Sequence, residues 1–162
     1  MKSRFKLWAF LPPIMLVPII GLMSLLLFEI LTNKTTKSPI PLYFVIGLFA
    51  FTLIWLILGE LRTKIIKVIL EDGKITVTNF LGLGTKKVFN LDELDGFSIS
   101  FLPSQGGTYE YLYLILNNKK VVKISEFYHK NYSEFKQVII LKTRDLGNER
   151  FSYIKELREI FT

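Results

Sequence analysis

Two long runs without a charged residue, Leu7–Phe28 and Ile40–Leu58, dominate the hydrophobic pattern of this chain, and only the stretch Glu29–Pro39 separates them. Crossing a hydrocarbon layer about 30 Å thick takes roughly 20 helical residues. Each run is long enough to span. Pro12-Pro13 suit the first turn of a helix, where a missing N–H costs nothing. The spans are therefore expected near residues 12–31 and 40–60. Pro18 removes an internal hydrogen bond and predicts a kink. Lys2–Leu11 reads as an interfacial lead-in, with Phe5, Trp8 and Leu11 toward lipid. Glu29 and Glu60 sit at the ends of the runs, within reach of the interface.

From Thr63 onward the pattern shortens to strands bounded by turn signals. Expected strands are Lys64–Leu70, Lys74–Phe80, Thr85–Phe89, Asp95–Phe101, Tyr109–Leu116 and Lys119–Ser125. Asp72-Gly73 and Asn117-Asn118 mark tight hairpin turns. Phe97, Ile99 and Phe101 should share one face, with Ser98 and Ser100 opposite. Pro103–Gly107 is read as a loop. Asn131 and Glu134 predict a capping box at the start of a helix, with Phe135, Val138 and Ile139 on its inner face. Gly147-Asn148 interrupts, and a last helix is expected over Glu149–Ile160. Its stripe of Phe151, Ile154, Leu157 and Ile160 is expected to pack on the domain, with the membrane surface as the alternative.

This order of hairpins followed by a helix resembles the bacterial pleckstrin-homology-like (PH-like) domains found behind one or two membrane helices. The likeness rests on Lys74–Phe80, the turn Gly82–Gly84, Thr85–Phe89, Leu91-Asp92-Glu93-Leu94 and the helix Asn131–Ile140. It covers about residues 62–145. The resemblance implies a partly open seven-stranded barrel plugged by a helix, and a non-enzymatic module. The expected class is thus α+β: a two-helix membrane hairpin (1–61), then a PH-like antiparallel β-barrel or sandwich capped by C-terminal helices (62–162). Lipid-reading members of the wider fold hold phosphoinositides with basic residues around the first hairpin turn. Here that turn is the acidic Glu71-Asp72-Gly73, which would repel phosphate.

Charge places the chain on the membrane. Lys2, Arg4 and Lys6 precede the first run, and Arg62, Lys64 and Lys67 follow the second, against Lys34 and Lys37 between them. The basic excess marks the cytoplasmic side, so both termini and the soluble domain are expected there. The first run is too long for a signal-peptide core and lacks a small-x-small cleavage site, so it reads as a retained anchor. The net charge of +7 is spread over the chain. It suits anionic lipid and falls short of a nucleic-acid footprint.

Candidate chemistry is sparse. The chain has no cysteine and one histidine, which removes thiolate chemistry and multi-histidine metal sites. His129 reads as an exposed loop residue, and Asp92, Glu93 and Asp95 as a solvated connection without a calcium or phosphate loop. No catalytic residue, metal or cofactor is expected. The candidate lipid or partner contacts are Lys86 and Lys87, Lys119, Lys120 and Lys123, and the alternating Tyr109, Tyr111 and Tyr113. If Leu112, Leu114 and Leu116 are core, those tyrosines form an outer aromatic stripe suited to protein contact; otherwise they pack under the last helix. The expected function is a membrane-anchored interaction or scaffold module that meets a protein partner or a second copy, since tethering strengthens weak contacts. The alternative is an anionic-lipid surface sensor using the basic turns.

Overall fold

The structure, a computed structural model, describes residues 1–32, 40–104 and 107–161. Lys34, Lys37 and the centre of the Pro103–Gly107 loop lie outside them. Two helices are long and apolar enough to cross a membrane. The first is a 3-10 turn, Leu7–Phe10, running into α1, Leu11–Thr32. The second is α2, Ile40–Ile54, continued by π-helical turns over Trp55–Leu61. Neither has a polar face, and their outward side chains are almost all exposed, as lipid-facing helices require. Ser24 and Thr52 donate their hydroxyls to the carbonyls of Ile20 and Leu48, so both are satisfied within their own helices.

Two sheets follow. β1 (Lys67–Glu71), β2 (Lys74–Thr78) and β3 (Lys86–Asn90) form an antiparallel meander. The second sheet has the order β6-β5-β4-β7, built from β4 (Gly96–Ser104), β5 (Gly107–Leu116), β6 (Lys119–Ser125) and β7 (Asp145–Glu149). Asp72 and Gly73 both take positive φ between β1 and β2, as do Asn117 and Asn118 between β5 and β6, which matches the twist of a tight hairpin. α3, Tyr132–Lys142, buries Tyr132, Phe135 and Ile139 between the sheets. There they meet Val68, Ile75, Phe97, Leu112, Leu114 and Ile124. α4, Tyr153–Phe161, closes the described chain.

The α+β class holds, but the sheets form no closed barrel, and one pairing is parallel. Gly147-Asn148, expected to be a break, lies inside β7, which runs parallel to β4. That strand returns from α3 so close to β4 that Phe97 N–H donates to Arg144 O at 2.8 Å. A side chain on Gly96, at φ +154°, would put its Cβ 2.3 Å from that same oxygen, so only glycine allows the approach. The last helix consequently starts at Tyr153 rather than Glu149.

The N-terminal lead-in also differs from expectation. Residues 1–6 line the free edge of β1. Ser3 N–H donates to Val68 O and Leu70 N–H to Met1 O, each at 2.7 Å. Asn131 makes no capping bond to α3. Its amide instead behaves as a peptide for this segment, accepting from Arg4 N–H (2.8 Å) and donating to Lys2 O (3.0 Å). Phe5 packs on the His129 ring, 5.5 Å between centroids, and not toward lipid.

His129 is correspondingly not an exposed loop residue. It is fully buried, with Nδ1 2.8 Å from Ser125 O and Nε2 2.8 Å from Ile66 O. Burial pushes its pKa below 6.5, although both carbonyls favour the proton. The unfolded chain therefore takes up a proton at a higher pH than the folded one. Folding stability is complete above about pH 6.5 and falls as the pH drops toward the folded value. In detergent, the thermal midpoint of the full chain should decline between pH 6.5 and 5. His129→Gln should start lower and show a shallower decline, and parallel curves would contradict this assignment.

Candidate functional site

The second sheet is covered on both faces. Ser98 and Tyr113 are opposite each other in the register, as are Ser100 and Tyr111, while Lys123 and Ser125 continue the same face on β6. Small serines leave room for the tyrosine rings. Tyr111 and Tyr113 are only 2% exposed, so they form no outer stripe. Phe151 lies 6.3 Å from the Tyr111 ring, and the Lys123 ammonium sits 4.6 Å from its centroid. Tyr109 packs edge-on against Phe127 at 5.0 Å. The alternative reading, tyrosines beneath the last helix, fits Tyr111 and Tyr113.

Over this face stands a nearly dry network of charges. Lys64 Nζ lies 2.7 Å from Glu60 Oε1 and 3.1 Å from Glu156 Oε2. Lys123 Nζ donates to Glu156 Oε1, and Tyr128 OH to Glu60 Oε2 at 2.7 Å. Two ammonium groups and two carboxylates cancel. Burial opposes the charged form of Lys64, yet Glu60 above all, with Glu156, holds its pKa above the usual lysine value. Burial likewise opposes the Glu156 carboxylate, but Lys64 and Lys123 hold its pKa below the usual range. Burial, then the Glu60 charge, pushes the Tyr128 hydroxyl up, and burial raises Tyr111 to about 12. Both phenols stay neutral. The network ties the end of the second apolar helix to β6 and α4.

Beside it opens a cleft of about 960 Å³, within the usual range for a ligand site. Ile66, Val77, Phe89, Val121 and Val122 give it an apolar floor. Lys87 and Phe89 share one face of β3 by strand alternation and turn toward it. A register shift between Leu114 and Ile115 leaves Val121 unpaired on β6, and Lys119, Lys120 and Lys123 line the cleft around that bulge. Lys155 and Arg158 come from α4, and Arg62 follows the second apolar helix directly. Glu149 is the one carboxylate in the described lining. It binds Lys120 at 2.8 Å and accepts from Ser98. Burial favours its neutral form, but Lys120 holds its pKa below the usual range. The Lys120 ammonium also lies 3.9 Å from the Tyr113 ring centroid.

Five of the eight candidate residues thus meet at one cleft: Lys87, Lys119, Lys120, Lys123 and Tyr113. Lys86 lies on the opposite face of β3, and Tyr109 and Tyr111 lie elsewhere. Sequence reasoning missed Arg62, Lys155 and Arg158. It also read Glu60 as a helix-end residue within reach of the interface, although Glu60 and Lys64 stand at the i,i+4 spacing of a helical ion pair. Asp92 and Glu93 sit in a 3-10 turn, where Glu93 accepts from Asn90. Among the described residues no cluster of three metal-binding side chains occurs. No family model, curated protein or solved structure matches this chain.

Chemically, a cationic wall over an apolar floor suits an anionic amphiphile. The buried network fixes that wall in place. Glu156→Gln leaves two ammonium groups to one carboxylate and should cost about 3–5 kcal/mol of stability, the usual cost of breaking a buried pair. Adding Lys123→Gln should recover part of the loss in thermal melts of the full chain. Additive losses would show the two residues to be uncoupled.

Proposed function

We propose that this protein is a membrane-anchored, non-enzymatic module of PH-like architecture that recognises anionic lipid at the bilayer surface. The cleft carries the reading: its basic wall and apolar floor lie immediately after the second span, where a headgroup and the first acyl carbons are available. A lysine near an anionic membrane contributes about 1 kcal/mol, so three or four together favour an anionic ligand by a factor of hundreds. The two hairpin-built sheets and the plugging helix α3 support the PH-like part of this reading, while the parallel strand β7 after α3 departs from it. The lipid contacts are on β3, β6 and α4, away from the acidic first hairpin turn.

In full chain reconstituted in zwitterionic nanodiscs, a short-chain phosphatidylglycerol below its micelle concentration should bind, and added salt should weaken it. Lys87→Glu combined with Lys119→Glu should lower the affinity at least tenfold. Lys86→Glu, outside the lining, should cost clearly less. Salt-independent binding, or equal effects of the two changes, would remove the proposal.

Residues 1–6 bond to β1 and to the segment Tyr128–Asn131, which supports a hairpin with both ends of the helical pair on one side of the membrane. The basic residues there support the cytoplasm as that side. With no native cysteine, single cysteines report topology cleanly. Thr85→Cys should resist an impermeant maleimide in intact cells, and Lys34→Cys should react. The reverse pattern would invert the orientation.

A second reading, presentation of the domain to a protein partner or a second copy, draws on β3. It ends its sheet without a strand partner among the described residues and exposes Val88. Lys86 and Lys87 on that edge discourage indiscriminate strand pairing, so the cleft remains the stronger feature.

A further inference from the structure

The outer face of α4 is unlike that of a helix packed on a soluble domain. Such a helix buries its apolar stripe and exposes its charges. In α4 the inward residue is Glu156, 7% exposed and bonded to Lys64 and Lys123. Ile154 lies about 200° around the helix from it. Ile154 is 67% exposed and Leu157 37%. The polar network thus turns Ile154 and Leu157 outward, opposite to the packing expected for them, while Phe151 packs on the Tyr111 ring as expected and the Ile160 side chain lies outside the described ones.

What covers that side follows from where the helix lies. α4 packs on Trp55–Leu61, the last turns of the second apolar helix. Those turns stand where hydrocarbon gives way to headgroups, since Arg62 and Lys64 come next. A helix against them shares their depth. Lys155 and Arg158 neighbour the apolar pair in sequence and line the basic cleft, which completes the pattern of an interfacial amphipathic helix: apolar residues toward acyl chains, cations at headgroup level. At nine residues α4 is too short to hold its shape alone and depends on contacts on both sides.

We infer that α4 is an in-plane membrane helix, with Ile154 and Leu157 inserted at the boundary between headgroups and acyl chains of the bilayer that the two long helices cross. The inference rests on those helices being spans and is independent of what the cleft binds. It makes α4 a wall between lipid and cleft, so the site opens at the membrane surface itself.

Site-directed spin labelling of the full chain in lipid vesicles tests this. Ile154→Cys, Leu157→Cys, Gln137→Cys on the exposed side of α3, and Leu22→Cys within the first span would be labelled one at a time. The labels at 154 and 157 should collide several-fold more often with oxygen than with a water-soluble nickel chelate, as the label at 22 does. The label at 137 should show the opposite preference. Nickel-accessible labels at both 154 and 157 would overturn the inference by placing the stripe in water. Labels there reached by neither reagent would overturn it too, because a protein surface, from a partner or a second copy, would then cover the stripe. A water-like label at 22 would instead mean that the span assignment had failed. Both test positions lie on the exposed face, and unchanged thermal midpoints would confirm that the labelled chains fold.

Discussion

Four charges that cancel away from water hold the architecture together. Glu60 comes from the end of the second apolar helix, Lys64 from the turn after it, Lys123 from β6 and Glu156 from α4. Each is too costly to bury alone, so the four elements must meet in one arrangement or leave a charge stranded. Apolar packing would tolerate several relative placements of helix and sheet. Complementary charges at hydrogen-bond distance tolerate far fewer, which is why this joint behaves as a fixed bracket more than as a linker. The π-helical turns at Trp55–Leu61 belong to the same joint. They shift the helix face by one residue per turn relative to an α-helix, and Glu60 lies within them.

The bracket has functional weight because of what stands around it. On one side Lys123 passes from the network into the lining of the cleft; on another Tyr128 links Glu60 to the segment that ends in His129. One set of contacts therefore positions the cationic wall, buries the tyrosine face of the second sheet and orients α4. Among the described residues the domain meets the helical pair through this bracket, through residues 1–6 and through an apolar cluster in which Ala9, Leu16 and Leu61 pack with Ile65, Phe127 and Tyr128. Attachments at separate points restrict pivoting in a way that one tether would not.

Much of this was readable from the residues, and the exceptions have specific causes. The apolar runs, the two tight hairpins and the inner face of α3 follow from local periodicity and turn chemistry, which act over a few residues. β7 was illegible because Asp145-Leu-Gly-Asn-Glu149 has no strand propensity of its own; pairing with β4 imposes its shape. His129 and Asn131 were misread because their partners, Ile66 and residues 2–4, are far away in sequence. The tyrosines were ambiguous because alternation predicts two faces without saying which is covered, and here both are. Basic residues were visible as candidates, but their convergence on one cleft depends on the meeting of β3, β6 and α4. That meeting relies on long-range charge pairing.

The pairing of residues 1–6 has a consequence for the order of events during synthesis. Those residues leave the ribosome ahead of both apolar helices, and their partners on β1 and near Asn131 follow only after those helices have emerged. That segment must remain unpaired while the two apolar helices are made behind it. Assembly of the domain then ends with residues 1–6 closing over an edge formed much later in the chain.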